Sequence, residues 1–246
     1  MFPDSINLGF NGHVRHHLVH FPDPVVRPGA MNFGSGHSTT VPEADLERFY
    51  LTGDLAELKL VPKANRVKLG EPLPLSWQLT NKTGSGILLP RDVSLEGQHA
   101  HITVVNPHGV ARYMPSFVIR TDASSLQDLP PGKRLSGDTN LFWSSNGFAF
   151  EIPGKHRVEL RVVWSDAGVP YGVQAAADVW VDYPTSDADN EVASSLMHED
   201  VGIFVALGGG ANHLHAAVSR IETVSSKHRE HPASASVASM REKKGR

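Results

Sequence analysis

The strongest constraint on the fold is a period of two in side-chain character that returns at three separated places between Leu55 and Asp182. In LPLSWQLT, Leu73, Leu75, Trp77 and Leu79 alternate with polar or small residues. In KHRVELRVVW, Val158, Leu160, Val162 and Trp164 do the same against Arg157, Glu159 and Arg161. In VQAAADVWVD, alternate positions hold Val173, Ala175, Ala177, Val179 and Val181. Successive side chains of a strand point to opposite faces, so each stretch is predicted to be a strand with one face buried. The turn signals between them (NKTGSG, NPHG, LPPGK, SSNG, IPGK, SDAG) suit antiparallel hairpins, whereas parallel neighbours would need helical crossovers. About eight short strands at this spacing predict an antiparallel β-sandwich.

Both flanks depart from that period. Residues 1–40 are rich in Pro, Gly, His and Asn and follow no periodicity. In VPEADLERFYLTGD, Leu46, Phe49 and Tyr50 share a helical face, Asp45 and Glu47 lie in the first turns and Gly53 follows, which predicts a short helix over 43–51. Beyond the strands, Val192, Leu196, Ile203 and Leu207, and then Leu214, Val218 and Ile221, recur at helical spacing around a GGG break, which predicts a helical hairpin. The polar, terminally basic stretch after Ser226 is expected to be a flexible tail.

A net charge of -3 gives no global field for nucleic acid or an anionic membrane. The absence of cysteine excludes disulfides, thiol nucleophiles and Cys-ligated zinc, so any metal would be held by His, Asp and Glu. No apolar run has the length of a membrane span, and the amino terminus lacks a basic start and an apolar h-region. The expectation is a cytoplasmic protein if Met1 is the natural start, and a secreted or periplasmic one if the sequence is truncated.

One cluster invites a chemical reading. His13, His16, His17 and His20 fall within eight residues, ahead of Asp23 and Met31. They read as a polar leader or as a zinc site. For the second, His13 and His17 would share one helix face, Asp23 would arrive after a turn, and PGAM would carry Met31 beneath them. This spacing resembles the metzincin metalloproteases, matrixins included, over residues 11–53. The resemblance implies zinc as cofactor, His13, His17 and Asp23 as ligands and Met31 as the methionine of the turn. Val14 stands where that family has its general-base glutamate, and His20 replaces its glycine, so the implied relative is inactive and no catalytic residue is assigned.

A second resemblance covers the strands. LTNKTGSGILLP, HITVVNPHG, LPPGKRLSGDTNLFW and FEIPGKHRVELRVVW resemble the turn scheme of bacterial Ig-like modules, including proteinase-inhibitor domains of the BsuPI type. It implies a mainly β fold, an Ig-like antiparallel β-sandwich over 54–183. The irregular His-rich segment with its short helix occupies 1–53, the helical hairpin 184–226 and the tail 227–246. The function expected is a non-catalytic binding or accessory module with another protein as partner, and neither nucleic acid nor a membrane span. The alternative is an inactive zinc-peptidase relative with an accessory sandwich.

The remaining features read more plainly. His99 and His101 would share one strand face, as solvated residues or as a ligand pair. His213 and His215 cannot share a helix face and suit capping or surface roles. Trp77, Trp143, Trp164 and Trp180 read as core rather than as a carbohydrate-binding face. The glycines at 208–210 read as a linker, not a phosphate loop, and Asn81-Lys82-Thr83 is formally a glycosylation sequon.

Overall fold

The computed structural model describes residues 50–51, 54–95, 97–118, 126–166 and 169–242. The described strands are β1 (Tyr50–Leu51), β2 (Ala56–Pro62), β3 (Arg66–Lys68), β4 (Leu73–Asn81), β5 (Ile87–Pro90), β6 (Ala100–Val105), β7 (Ala111–Met114), β8 (Leu126–Leu129), β9 (Arg134–Leu141), β10 (Trp143–Ser144), β11 (Gly147–Phe148), β12 (Gly154–Asp166) and β13 (Val169–Asp182). Four helices follow: α1 (Asp187–Leu196), α2 (Glu199–Ala206), α3 (His215–Lys227) and α4 (Pro232–Glu242). Among the described residues the fold is mainly β, with helices at the carboxyl end.

The largest sheet runs β1-β13-β12-β6-β7, with β3 also on β13, and β2-β4-β9 forms a second sheet. Its axis is the hairpin of β12 and β13, paired without interruption from Gly154↔Val181 to Asp166↔Val169. That register puts Val158, Leu160 and Val162 on the same face as Val173, Val179 and Val181, and Ile102 and Val104 of β6 extend it. Leu73, Leu75, Trp77 and Leu79 of β4 join the same apolar cluster from the second sheet. The alternation read from the sequence is therefore the alternation of burial. Burying a Leu or Val side chain contributes about 1.5–3 kcal/mol, so this shared core dominates the stability of the β region.

Two pairings are parallel, β1 and β3 against β13. The first bears on the last two residues of the short helix expected over 43–51. Tyr50 and Leu51 instead pair with Tyr171 and Gly172, satisfying backbone groups on the edge of β13. The rest of that stretch lies outside the described residues.

The carboxyl-terminal half-hairpins also resolve differently. The run NEVASSLMHEDVGIFVAL breaks at Met197-His198 into α1 and α2, because Ser186 caps the first (its Oγ accepting from Asp189 N) and His198 caps the second. Part of the expected flexible tail is α4, whose Ala233 and Val237 are buried with Val192, Leu196, Val201, Phe204, Ala217, Ile221 and Val224. Phe142, between β9 and β10, belongs to this second core, and Trp143 and Phe148 pack on it, so the β10-β11 hairpin is the bed on which the helices lie.

Asp189 fastens these helices to the strands. Its carboxylate accepts from the Lys68 ammonium at 3.0 Å and from Thr185 through both the backbone N–H (2.9 Å) and the hydroxyl (3.0 Å). His231 completes the set at 3.1 Å. The Nδ1 of His231 accepts from Ala233 N at the start of α4, so in the neutral ring the proton sits on Nε2 and is donated to Asp189. One buried carboxylate thus ties β3, the Tyr183–Thr185 connection, α1 and α4. The Thr185 N–H above all, then Lys68 and the Thr185 hydroxyl, hold its pKa well below the usual carboxylate range against the opposing effect of burial.

A carboxyl whose folded pKa is depressed stabilises fully above its unfolded value of about 4 and loses that contribution as pH falls toward the folded value. Asp189→Asn is expected to cost about 3 kcal/mol at neutral pH, the scale of breaking a buried ion pair. It should also flatten the fall in urea midpoint below about pH 4. Urea titrations of both proteins across that range check both effects.

Candidate binding groove

The inward positions of Val179 and Val181 force Asp178, Trp180 and Asp182 onto the outer face of β13. Lys155, Arg157 and Glu159 take the matching face of β12. The register sets Trp180 opposite Lys155 on one side and Arg66 of β3 on the other. The Arg66 guanidinium lies over the indole, its carbon 5.6 Å from the ring centroid, a cation–π contact. Arg66 also pairs with Asp182, Lys155 with Asp178 at 2.7 Å and Arg157 Nε with Glu159 at 2.8 Å. Exposed pairs of this kind contribute at most about 1 kcal/mol, so they orient the side chains without locking them.

Trp180 nevertheless keeps 39% of its surface exposed, and Tyr183 just beyond the strand keeps 64%. Both line a groove of about 720 Å³ bounded by the turn of Asn106, Pro107, His108 and Gly109 and by the segment Ile152, Pro153 and Gly154. The turn is internally braced. The Asn106 Oδ1 accepts from the backbone N–H groups of His108 (2.9 Å) and Val110 (3.0 Å), and Gly109 N donates to Asn106 O. Gly154 holds a φ of 122°, and a Cβ there would stand 2.7 Å from Pro107 Cγ, so the two walls touch only because this residue is glycine. Beneath them His156 is buried, its Nδ1 3.1 Å from Gly154 O and its ring edge-on to Phe150. Burial lowers its pKa, with Arg112 adding to the effect, so the groove floor is an uncharged imidazole at neutral pH.

The residues singled out in the sequence fare variously. His13, His17, Asp23 and Met31 lie outside the described residues. His99 and His101 do occupy one face of the sheet, but their nitrogens turn to different partners. The Nδ1 of His99 is 2.8 Å from Val163 O and that of His101 is 3.1 Å from the Tyr113 hydroxyl. Burial, followed by the neighbouring Arg161 and His99, pushes the His101 pKa down to about 4, so the imidazole is neutral and internal rather than solvated. Among the described residues no group of three His, Asp or Glu side chains is placed to hold a metal ion. His213 and His215 are both exposed. Gly208 and Gly209, with φ of 72° and 75°, form the linker expected of them. Asn81 is fully buried, its amide donating to Ser85 O at 2.8 Å and Leu129 O at 2.7 Å, so the sequon is a loop brace and not an accessible acceptor.

Trp77 and Trp164 are core residues as expected. Trp180 is the correction. Core packing would have needed it in phase with Val179 and Val181, and a strand cannot put adjacent residues on one face. That signal was present in the sequence and identifies the groove residue that aromatic content alone concealed.

No known family pattern matches the chain, and no curated protein matches it. Among solved structures, an alkylpurine DNA glycosylase, AlkC, from Pseudomonas fluorescens overlaps at 15% identity over 52% of this chain and 31% of its own, with a TM-score of 0.33. A β-glucosidase from Listeria innocua overlaps at 15% identity over 56% and 18%, TM-score 0.29. The sporulation control protein Spo0M from Bacillus subtilis overlaps at 10% identity over 58% and 54%, TM-score 0.34. The chain spans less than two thirds of each of these proteins, and likenesses of this size assign it no function.

The glycine-dependent wall contact is testable. Gly154→Ala should destabilise the protein by about 2 kcal/mol, from backbone strain and the clash with Pro107, measured by urea denaturation. Gly109→Ala, at a φ of 77° that lies nearer the left-handed region and with open space around the added methyl, should cost less.

Proposed function

We propose that this chain is a non-catalytic binding module, an Ig-like β-sandwich carrying a helical layer, and that the groove beside Trp180 is where it meets a partner protein. The sandwich reading is supported by the single apolar cluster that draws alternate residues from both larger sheets. The binding reading rests on one observation, the exposure of Trp180 and Tyr183 together at the mouth of a braced groove. Aromatic residues and arginine are the side chains that dominate binding energy at protein interfaces, and they do so where neighbouring residues exclude water. Arg66 uses part of the indole in a contact worth about 0.5–1 kcal/mol, and the exposed remainder is free for a partner. Bracing by Asn106 and by the Pro107–Gly154 contact favours binding, because a preformed surface loses less conformational entropy on association.

The test is affinity capture from the native lysate with wild-type protein and with Trp180→Ala and Tyr183→Ala. Tyr183 is 64% exposed, so its variant should retain the wild-type unfolding midpoint; Trp180→Ala also loses the Arg66 contact and should lower the midpoint while leaving the protein folded. The expected outcome is a specific partner whose binding to either variant is weaker by about 2 kcal/mol or more. Equal capture by all three proteins, or turnover of a substrate by the purified chain, would contradict the proposal.

A further inference from the structure

Strand β9 leaves one edge of the second sheet open. Asn81 N donates to Lys133 O, and the same register runs on from Thr80↔Arg134 to Leu73↔Leu141. In an antiparallel ladder, residues that exchange backbone bonds with the neighbour alternate with residues whose N–H and C=O turn to the other side. The odd-numbered residues of β9 therefore bond to β4, and Arg134, Ser136, Asp138 and Asn140 turn their backbone groups away from it. Among the described residues no strand pairs with β9 on that side, and all four residues are exposed. The β7 edge of the larger sheet differs, because the Asn146 side-chain amide donates to Tyr113 O there. Neither a proline nor a bulge interrupts β9, although these are common means of keeping an edge from pairing with another chain.

The charges on this edge are opposite in sign and self-complementary in spacing. Arg134 is exposed and has no ion-pair partner among the described residues. Asp138 lies four residues on, its carboxylate accepting from Lys63 and Ser76 at 2.7 Å each, and its side chain is still 63% exposed. A carboxylate has lone pairs for more than two donors, so a further cation can join without releasing these. Two antiparallel copies of β9 centred on Ser136 set Arg134 of each opposite Asp138 of the other. Two opposite-charge pairs then form about one two-fold axis, an arrangement in which a single surface patch complements itself. Centring on Gly137 sets Arg134 opposite Asn140 and forms no charge pair, and centring on Asp138 brings two carboxylates together, which is destabilising. The Ser136 register also sets Leu135 opposite Gly137 on the inner face, so no two large side chains compete for space. We propose that two copies of this chain join edge to edge through β9, antiparallel about Ser136, in one continuous sheet of order β2-β4-β9-β9-β4-β2. The groove beside Trp180 belongs to the other sheet, so this pairing does not rest on the docking role proposed above.

Because the chain contains no cysteine, a single introduced thiol reports the register. Ser136→Cys would face its own counterpart at the axis with about 5.5 Å between Cα atoms, within reach of a disulfide. Asn140→Cys, also exposed on the same edge, would stand roughly 27 Å from its counterpart. On mild oxidation of the full chain, Ser136→Cys should give a covalent dimer on a non-reducing gel and Asn140→Cys should remain a monomer. Sedimentation equilibrium of the unaltered protein should show a reversible dimer. Arg134→Glu, which sets like charges opposite each other in both pairs, should weaken that dimer by about tenfold or more. Arg134 holds no ion pair within the chain, so this variant should keep the wild-type urea midpoint when both are dilute and monomeric. A protein that stays monomeric at millimolar concentration overturns the inference. So does equal crosslinking from positions 136 and 140, or a dimer indifferent to Arg134→Glu, since either places the contact elsewhere.

Discussion

The hairpin of β12 and β13 is the element on which everything else depends. Its uninterrupted register from Gly154↔Val181 to Asp166↔Val169 fixes two faces at once. A slip of one residue would exchange them, moving Val158, Leu160, Val179 and Val181 to solvent and Trp180, Asp178 and Arg157 to the core. The apolar face therefore does more than stabilise the sheet. It determines which residues are left outside, and so determines the groove.

The same hairpin organises its surroundings through its edges and ends. β3 reaches Trp180 and Asp182 in parallel pairing, which places Arg66 on the indole and Lys68 within reach of Asp189. The strand after which Tyr183 projects leads directly into the Thr185 and Ser186 contacts that start α1. Groove and helical layer thus share one short connection. Asp189 lies on its far side and Tyr183 on its near side, so the ionic contacts that hold the helices also fix the end of the groove wall.

Most of the strand architecture was legible because it rests on alternation, which is a property of neighbouring residues. The inward sets of β4, β12 and β13 and the turns around Asn81, Asn106 and Gly154 follow from that pattern and from turn chemistry. The short parallel strands were not legible, since two or three residues carry no period and their placement depends on a partner distant in sequence. Helix α4 was obscured for a different reason. Its stretch PASASVASM has no large apolar stripe, and only the close approach of small residues such as Ala233 and Ser234 allows it to be buried. Trp180 was half legible: residue type suggested core, while its phase relative to Val179 and Val181 placed it outside. The histidines at 13 and 17 belong to a stretch outside the described residues.

Site-specific photo-crosslinking tests the central claim most directly. A photoreactive phenylalanine derivative would replace Tyr183, in the groove, or Val61, which is 57% exposed on β2 and does not line it. Irradiation in the native lysate should give a discrete protein adduct from position 183 and none from position 61. An adduct from position 61 alone, or identical adducts from both, would contradict the assignment of the groove as the binding surface.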